Sequence, residues 1–136
     1  MAELTIVFAD LTGSTRIYET LGNAMATEVV TGTTQWIGKL AQLRGGRLIK
    51  YLGDGVLLAF KDNAAAVNTV TEMQHLHLER IGSGSGVLNS MKIKIGLARG
   101  EVVELEGDCF GDAVNVAARL SDLSGADQIL ATHSVI

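Results

Sequence analysis

Apolar residues first gather at positions 4–9, Leu-Thr-Ile-Val-Phe-Ala, a run rich in β-branched side chains. Such a run predicts a strand covered on both faces. It stops at Asp10. Thr12-Gly13-Ser14-Thr15 follows, rich in residues that cap helices, and predicts a short helix reaching Leu21. Gly22 and Asn23 break it. From 24 to 43 the apolar positions Val29, Val30, Trp36, Ile37, Leu40 and Leu43 recur at helical spacing, and Gly45-Gly46 supplies a stop. Thr31 to Thr34 are poor helix formers, so the pattern is weakest there.

Strands are expected at 47–52 and 56–60, joined through Gly53-Asp54-Gly55, since Asp-Gly between apolar runs signals a hairpin. Positions 63–81 carry Ala66, Val67, Val70, Met73 and Leu76 on one helical stripe, and 82–86 read as a flexible surface loop. Positions 91–98 alternate through Met91, Ile93, Ile95 and Leu97, and 102–105 read as a separate returning strand. A helix over 113–123 and a strand over 128–131 complete the chain. The order β-α-α-β-β-α-β-β-α-β predicts an α+β fold: an antiparallel sheet with helices mainly on one face. The other sheet face then meets solvent or a partner.

Composition narrows the class. The 136 residues make one domain and suffice for a core without disulfides or a structural metal. At 47% hydrophobic and 19% charged, the chain is not of disordered type. No apolar run approaches the roughly 20 residues of a membrane helix, and the N-terminus has no signal-peptide pattern. A lone cysteine, Cys109, excludes an intrachain disulfide or a Cys-based zinc site and fits a reducing, cytoplasmic setting. The net charge of −4 argues against a broad nucleic-acid footprint, though not against a local phosphate site. Sixteen glycines with no proline point to tight turns and close backbone approaches.

Few residues offer chemistry. Asp10 ends a strand and Asp54 sits in a hairpin turn; adjacent strands could bring them together. Two carboxylates at one sheet edge suit Mg²⁺, which takes oxygen ligands and substrate phosphates. From spacing alone, a capping Asp10 and a turn-forming Asp54 are the simpler account of them. Residues Leu11, Thr12, Gly13, Ser14 and Thr15 enter a helix whose free amides favour an anion, but the Walker pattern is absent. Lys50 lies inside an apolar strand, where an outward-facing lysine is common, and Asp108 follows Gly107 as a turn residue would. Asn115 and Arg119 share a helix face at i, i+4, able to bind a phosphate and a sugar or simply to face water. His75 and His77 point apart at i, i+2, His133 has no partner nearby, and no hydrolase triad surrounds Ser14, Thr15 or Ser121.

Four segments together, in order and spacing, resemble the class III nucleotidyl cyclase catalytic domain. They are Phe8-Ala9-Asp10-Leu11-Thr12-Gly13-Ser14-Thr15, then Gly45-Gly46, then Lys50-Tyr51-Leu52-Gly53-Asp54-Gly55, then Phe110-Gly111-Asp112-Ala113-Val114-Asn115-Val116-Ala117-Ala118-Arg119-Leu120. The likeness runs from about Thr5 to about Ala131. It implies a ferredoxin-like, palm-type sheet in a head-to-tail homodimer with shared active sites. It implies Asp10 and Asp54 as ligands of two Mg²⁺ or Mn²⁺ ions, with Leu11 beside them, and residues 11–15 as the phosphate cradle. Lys50 and Asp108 match the purine-selecting pair, contributed by the other subunit. Asn115 and Arg119, on the same chain as Lys50, match the pair that orients the ribose and stabilises the transition state. ATP is the expected substrate: Lys50 can donate to adenine N1 and Asp108 accept from N6, whereas guanine reverses both groups. Guanylate-type members carry Glu at the place of Lys50 and Cys at the place of Asp108; Cys109 is one residue too late. The implied reaction is in-line attack of the ribose 3′-OH on the α-phosphorus, releasing pyrophosphate.

Three departures from the family accompany this. Residues 101–110 are short where many members carry a longer, partner-embracing hairpin. Lys94 stands where many have a phosphate-contacting Arg, keeping the charge without the fork. Members also continue through a helix and a terminal strand pair holding a second phosphate-binding lysine. Residues 1–136 are therefore expected to be a catalytic domain without that pair, and any regulatory domain is expected C-terminal to it. The alternatives are a non-catalytic dimerisation or nucleotide-sensing module of the same fold, and a guanylate cyclase.

Overall fold

The apolar run at the N-terminus becomes the middle of the sheet. In the structure, a computed structural model that describes residues 2–82 and 86–135, β1 (Ala2–Thr12) pairs along both edges. Antiparallel β3 (Gly55–Phe60) lies on one side and antiparallel β4 (Lys92–Leu105) on the other. A strand hydrogen-bonded on both edges and covered on both faces has little use for polar side chains. Leu4, Ile6, Val7, Ala9 and Leu11 are accordingly all buried.

The remaining elements are α1 (Ser14–Leu21), α2 (Asn23–Leu43), β2 (Gly46–Leu52), α3 (Asn63–Gly82), β5 (Asp108–Phe110), α4 (Asp112–Leu123) and β6 (Ile129–Ala131), with one 3₁₀ turn at Leu88–Ser90. The sheet order is β2-β3-β1-β4-β5, whose first four strands have the ferredoxin-like arrangement. β6 also joins β4, in parallel, so the otherwise antiparallel sheet has one parallel edge.

Alternation splits the core in two. Val7, Ala9 and Leu11, with Val56, Leu58 and Phe60 and with Ile93, Ile95 and Leu97, face α1, α2 and α3. Leu4, Ile6, Leu57, Ala59, Ala98 and Val102 face the other way and meet Ala113 and Ala117 of α4. Each large side chain so buried contributes about 1.5–3 kcal/mol. The second face is thus partly covered from within the chain, by α4.

One local outcome differs from the sequence pattern, and two that agree with it have a visible reason. The apolar stretches at 91–98 and 102–105 form one strand, and the returning strand is β5, closed by a two-residue turn at Glu106 and Gly107, both at positive φ. The weak stretch of α2 stays helical because Thr33 and Thr34 are buried against the core, their hydroxyls satisfied by the carbonyls of Val29 and Thr31. In the β2–β3 hairpin, Leu52 pairs with Gly55, so the turn residues are Gly53 and Asp54. Of the loop expected at 82–86, residues 83–85 lie outside the described residues. His77 is buried and bonded to the Met91 carbonyl while His75 is exposed beside Glu79, so the two histidines do point apart.

α4 rests on the sheet through backbone. A Cβ on Gly96 would lie 2.3 Å from the Ala117 carbonyl oxygen and 2.4 Å from the Ser121 amide nitrogen. Neither atom belongs to a flexible side chain, so a methyl group can be accommodated only by lifting the helix. Gly96→Ala is expected to destabilise the fold by about 2–3 kcal/mol, read as a lower denaturation midpoint in urea. An unchanged midpoint would mean that α4 is not seated on β4 at this distance.

Candidate functional site

Asp10 is the third residue from the end of β1, opposite Gly55 on one side and Lys94 on the other. Its place on the α4 side of the sheet follows from alternation with Leu11, which is buried on the opposite side. Asp54 is brought to it by the turn before β3, where the Leu11 amide donates to the Asp54 carbonyl at 3.0 Å. The hydroxyl of Ser14, at the start of α1, donates to Asp54 Oδ2 at 2.9 Å. A Cβ on Gly55 would stand 3.1 Å from Asp10 Oδ1, so the glycine leaves room for the carboxylate.

The two acids do converge, therefore, and the electrostatics record it. Burial raises the Asp10 carboxyl from 3.8 to about 6, and Asp54 adds to the rise through repulsion and a hydrogen bond to the protonated form. Asp122 pushes the same way and Lys94 opposes it. Two partly buried carboxyls that repel each other make a place suited to a cation. Among the described residues no three His, Cys, Asp or Glu side chains cluster for a metal. A cation here would rest on Asp10 and Asp54, with backbone oxygens, water or phosphate completing its shell. That donor set fits Mg²⁺ or Mn²⁺.

The segment from Leu11 to Thr15 is less open than the sequence implies. Leu11 and Thr12 still belong to β1, paired with Ile93 and Lys92, and the Leu11 amide is already committed to Asp54. The amides without intrahelical partners are those at the opening of α1, where Gly13 stands as N-cap with no side-chain cap. Lys94 is also partly committed: its Nζ donates to the Asp122 carbonyl at 2.8 Å, at the C-terminal end of α4.

A second constellation lies on the same side of the sheet. β2 is irregular between Leu48 and Lys50, and Lys50 then pairs with Leu57, whose side chain is on the α4 side. The β4–β5 hairpin reaches this strand, and Lys50 Nζ donates to Asp108 Oδ2 at 2.8 Å. Asp108 Oδ1 accepts from the Cys109 amide at 2.7 Å. These two bonds, Lys50's the larger influence, hold the Asp108 carboxyl below its ordinary value. Cys109 itself is buried and its thiol is pushed up by burial, which leaves it unreactive.

Asn115 and Arg119 are brought to neither constellation. Ala113, Ala117 and Ser121 form the buried stripe of α4, which turns Asn115 and Arg119 outward, exposed and on one face. Among the described residues neither side chain has a hydrogen-bond or ion-pair partner. No bond joins the acid pair to Lys50 or Asp108 within the chain either. The sequence reading overlooked Asp122, which reaches Asp10 only because α4 ends over β4; nothing in its local sequence marks it.

Comparison with known proteins supplies the context. The family model described as adenylate and guanylate cyclase catalytic domain matches residues 1–136. An adenylate cyclase of Streptomyces coelicolor is 34% identical over 127 residues, 93% of this chain and 32% of that protein. The pH-sensitive adenylate cyclase of Mycobacterium tuberculosis is 30% identical over 139 residues, 98% of this chain and 32% of its own length. The chain thus spans about a third of these relatives. Among solved structures, the adenylate/guanylate cyclase/hydrolase from Silicibacter pomeroyi superposes with a TM-score of 0.78 at 31% identity, covering 98% of this chain and 76% of that one. The adenylyl cyclase CyaB of P. aeruginosa gives 0.79 at 26% identity, covering 98% and 78%. Sequence and fold agree, and the chain belongs to the adenylate and guanylate cyclase catalytic domain family.

Proposed function

We propose that this domain is an adenylate cyclase that converts ATP to 3′,5′-cyclic AMP and pyrophosphate at sites shared between two copies of the chain. The observation that carries the choice of purine is the Lys50–Asp108 contact at 2.8 Å. It presents one donor and one acceptor side by side, the complement of adenine N1 and N6. Guanine offers a proton at N1 and a carbonyl at position 6, and would meet both groups with the wrong polarity.

The remaining roles follow from placement. Asp10 and Asp54 hold the cations, with Ser14 fixing the orientation of Asp54. Bound Mg²⁺ or Mn²⁺ supplies Lewis-acid polarisation of the ribose hydroxyl and the phosphates. The opening amides of α1, from Gly13 to Thr15, receive the terminal phosphates. Lys94 adds positive charge beside Asp10. Asn115 orients the ribose, and Arg119 faces the charge that grows on the α-phosphoryl oxygens as the 3′-oxygen bonds to phosphorus and pyrophosphate leaves. Asn115 and Arg119 point away from their own sheet, so in this reading they serve the acid pair of a second copy. The lone buried thiol favours the cytoplasm as the setting.

Mixing two inactive variants tests the shared site. Asp54→Ala keeps Lys50, Asp108, Asn115 and Arg119; Arg119→Ala keeps the acid pair. Co-expressed, they form mixed dimers with one complete site, and roughly a quarter of wild-type cyclic AMP formation returns under random pairing. Mixed dimers that form yet stay inactive would exclude composite sites.

The purine assignment has its own test. Lys50→Glu with Asp108→Cys is expected to reduce kcat/KM for ATP more than for GTP, since an unpaired buried polar group costs about 1–3 kcal/mol. An unchanged ATP preference would place the purine elsewhere.

The acid pair predicts a pH dependence of stability without metal. The folded Asp10 carboxyl at about 6 lies above its ordinary 3.8, so the native state binds more protons between those values. Its contribution to stability is present below about pH 4 and lost as pH rises to about 6. In chelator, Asp10→Asn should gain on wild type across that window, measured by chemical denaturation, and saturating Mg²⁺ should erase the gain. A gap independent of pH would remove the coupled acid pair.

A further inference from the structure

β2 and β5 stand at opposite ends of the sheet order, yet the hairpin that carries β5 folds back to touch β2. No strand pairing joins them. What does join them is charge. Arg47 and Lys50 project from β2, Glu104 and Asp108 from the hairpin, and they meet as two ion pairs, Arg47 with Glu104 and Lys50 with Asp108. Both cations are on one strand and both anions on the other partner. Glu104 pairs across the hairpin with Cys109, whose amide donates to Asp108 Oδ1. The anchoring point of the first pair is therefore one residue removed from the second.

The two pairs cannot have the same duty. In the proposed reading Lys50 and Asp108 give up part of their mutual bond to the purine, and at that moment they no longer hold the hairpin to β2. Arg47 and Glu104 have no purine to meet. We propose that the Arg47–Glu104 ion pair is a positioning device that keeps the β4–β5 hairpin against β2 while Lys50 and Asp108 are engaged with adenine, and so sets their separation. This rests on the assignment of Lys50 and Asp108 to the purine.

Both side chains are substantially exposed, at 55% and 38%. Ion pairs of that kind add little to global stability, which lets a positioning role be separated from a structural one. The experiment uses the full-length protein with Arg47→Ala, Glu104→Gln, and the charge-reversed double variant Arg47→Glu with Glu104→Arg. Lys50→Ala serves as control. Steady-state kinetics are measured with ATP and with GTP, and binding of 3′-deoxy-ATP, which lacks the attacking hydroxyl, by calorimetry.

Each single variant is expected to raise KM for ATP and weaken 3′-deoxy-ATP binding about fivefold, with kcat changed less than about twofold. The ATP-to-GTP ratio of kcat/KM should fall, and the double variant should restore it. Single variants that keep the ratio and the binding, while Lys50→Ala loses both, would overturn the positioning role alone. So would a variant with a lowered melting temperature and an unchanged ratio. If Lys50→Ala itself leaves the ratio unchanged, the purine assignment falls and this inference with it.

Discussion

The structure depends on one strand being claimed from four directions. β1 is hydrogen-bonded to β3 and β4, covered by α1 to α3 on one face and by α4 on the other. That constraint makes its sequence nearly all apolar from Leu4 to Ala9, between an exposed Glu3 at one end and Asp10 toward the other. The two pairings fix what stands beside the acid, Gly55 on one side and Lys94 on the other. A slip of one residue in either register would turn Asp10 into the core of the larger helix layer. The chemistry at the sheet edge is a by-product of how strictly the strand is held.

Much of this is written in the sequence. A continuous apolar run located β1, the Asp-Gly signal located β2 and β3, alternation located the first half of β4, and helical spacing located α2 and α3. The signals that needed refinement were short ones. The turn falls within the expected Gly53-Asp54-Gly55, narrowed to its first two residues because Gly53 takes the left-handed position and Gly55 already pairs beside Asp10. Gly100 and Glu101 read as a break in β4, yet β1 pairs straight through them. The Thr-rich stretch of α2 looked weak because propensity ignores burial.

For the site, side-chain type was legible and commitment was not. Asp10, Asp54, Lys50 and Asp108 were candidates by chemistry, and the fold joins each to a partner. Leu11 and Lys94 were candidates too, but the amide of one and the ammonium of the other are spoken for by Asp54 and Asp122. Hydrogen bonds between residues far apart in the chain have no local signature. The outward direction of Asn115 and Arg119, by contrast, follows from helical spacing once Ala113 and Ala117 are known to be inside.

The contact at Gly96 bears on how such a domain could move. Because α4 lies on β4 backbone against backbone, no side-chain rearrangement can change the distance between that helix and the strand carrying Lys94. In the proposed shared site, closing around a nucleotide and opening to release pyrophosphate would then be a rotation of one copy against the other. A regulatory element would act most directly by setting that angle, leaving each catalytic half as it is.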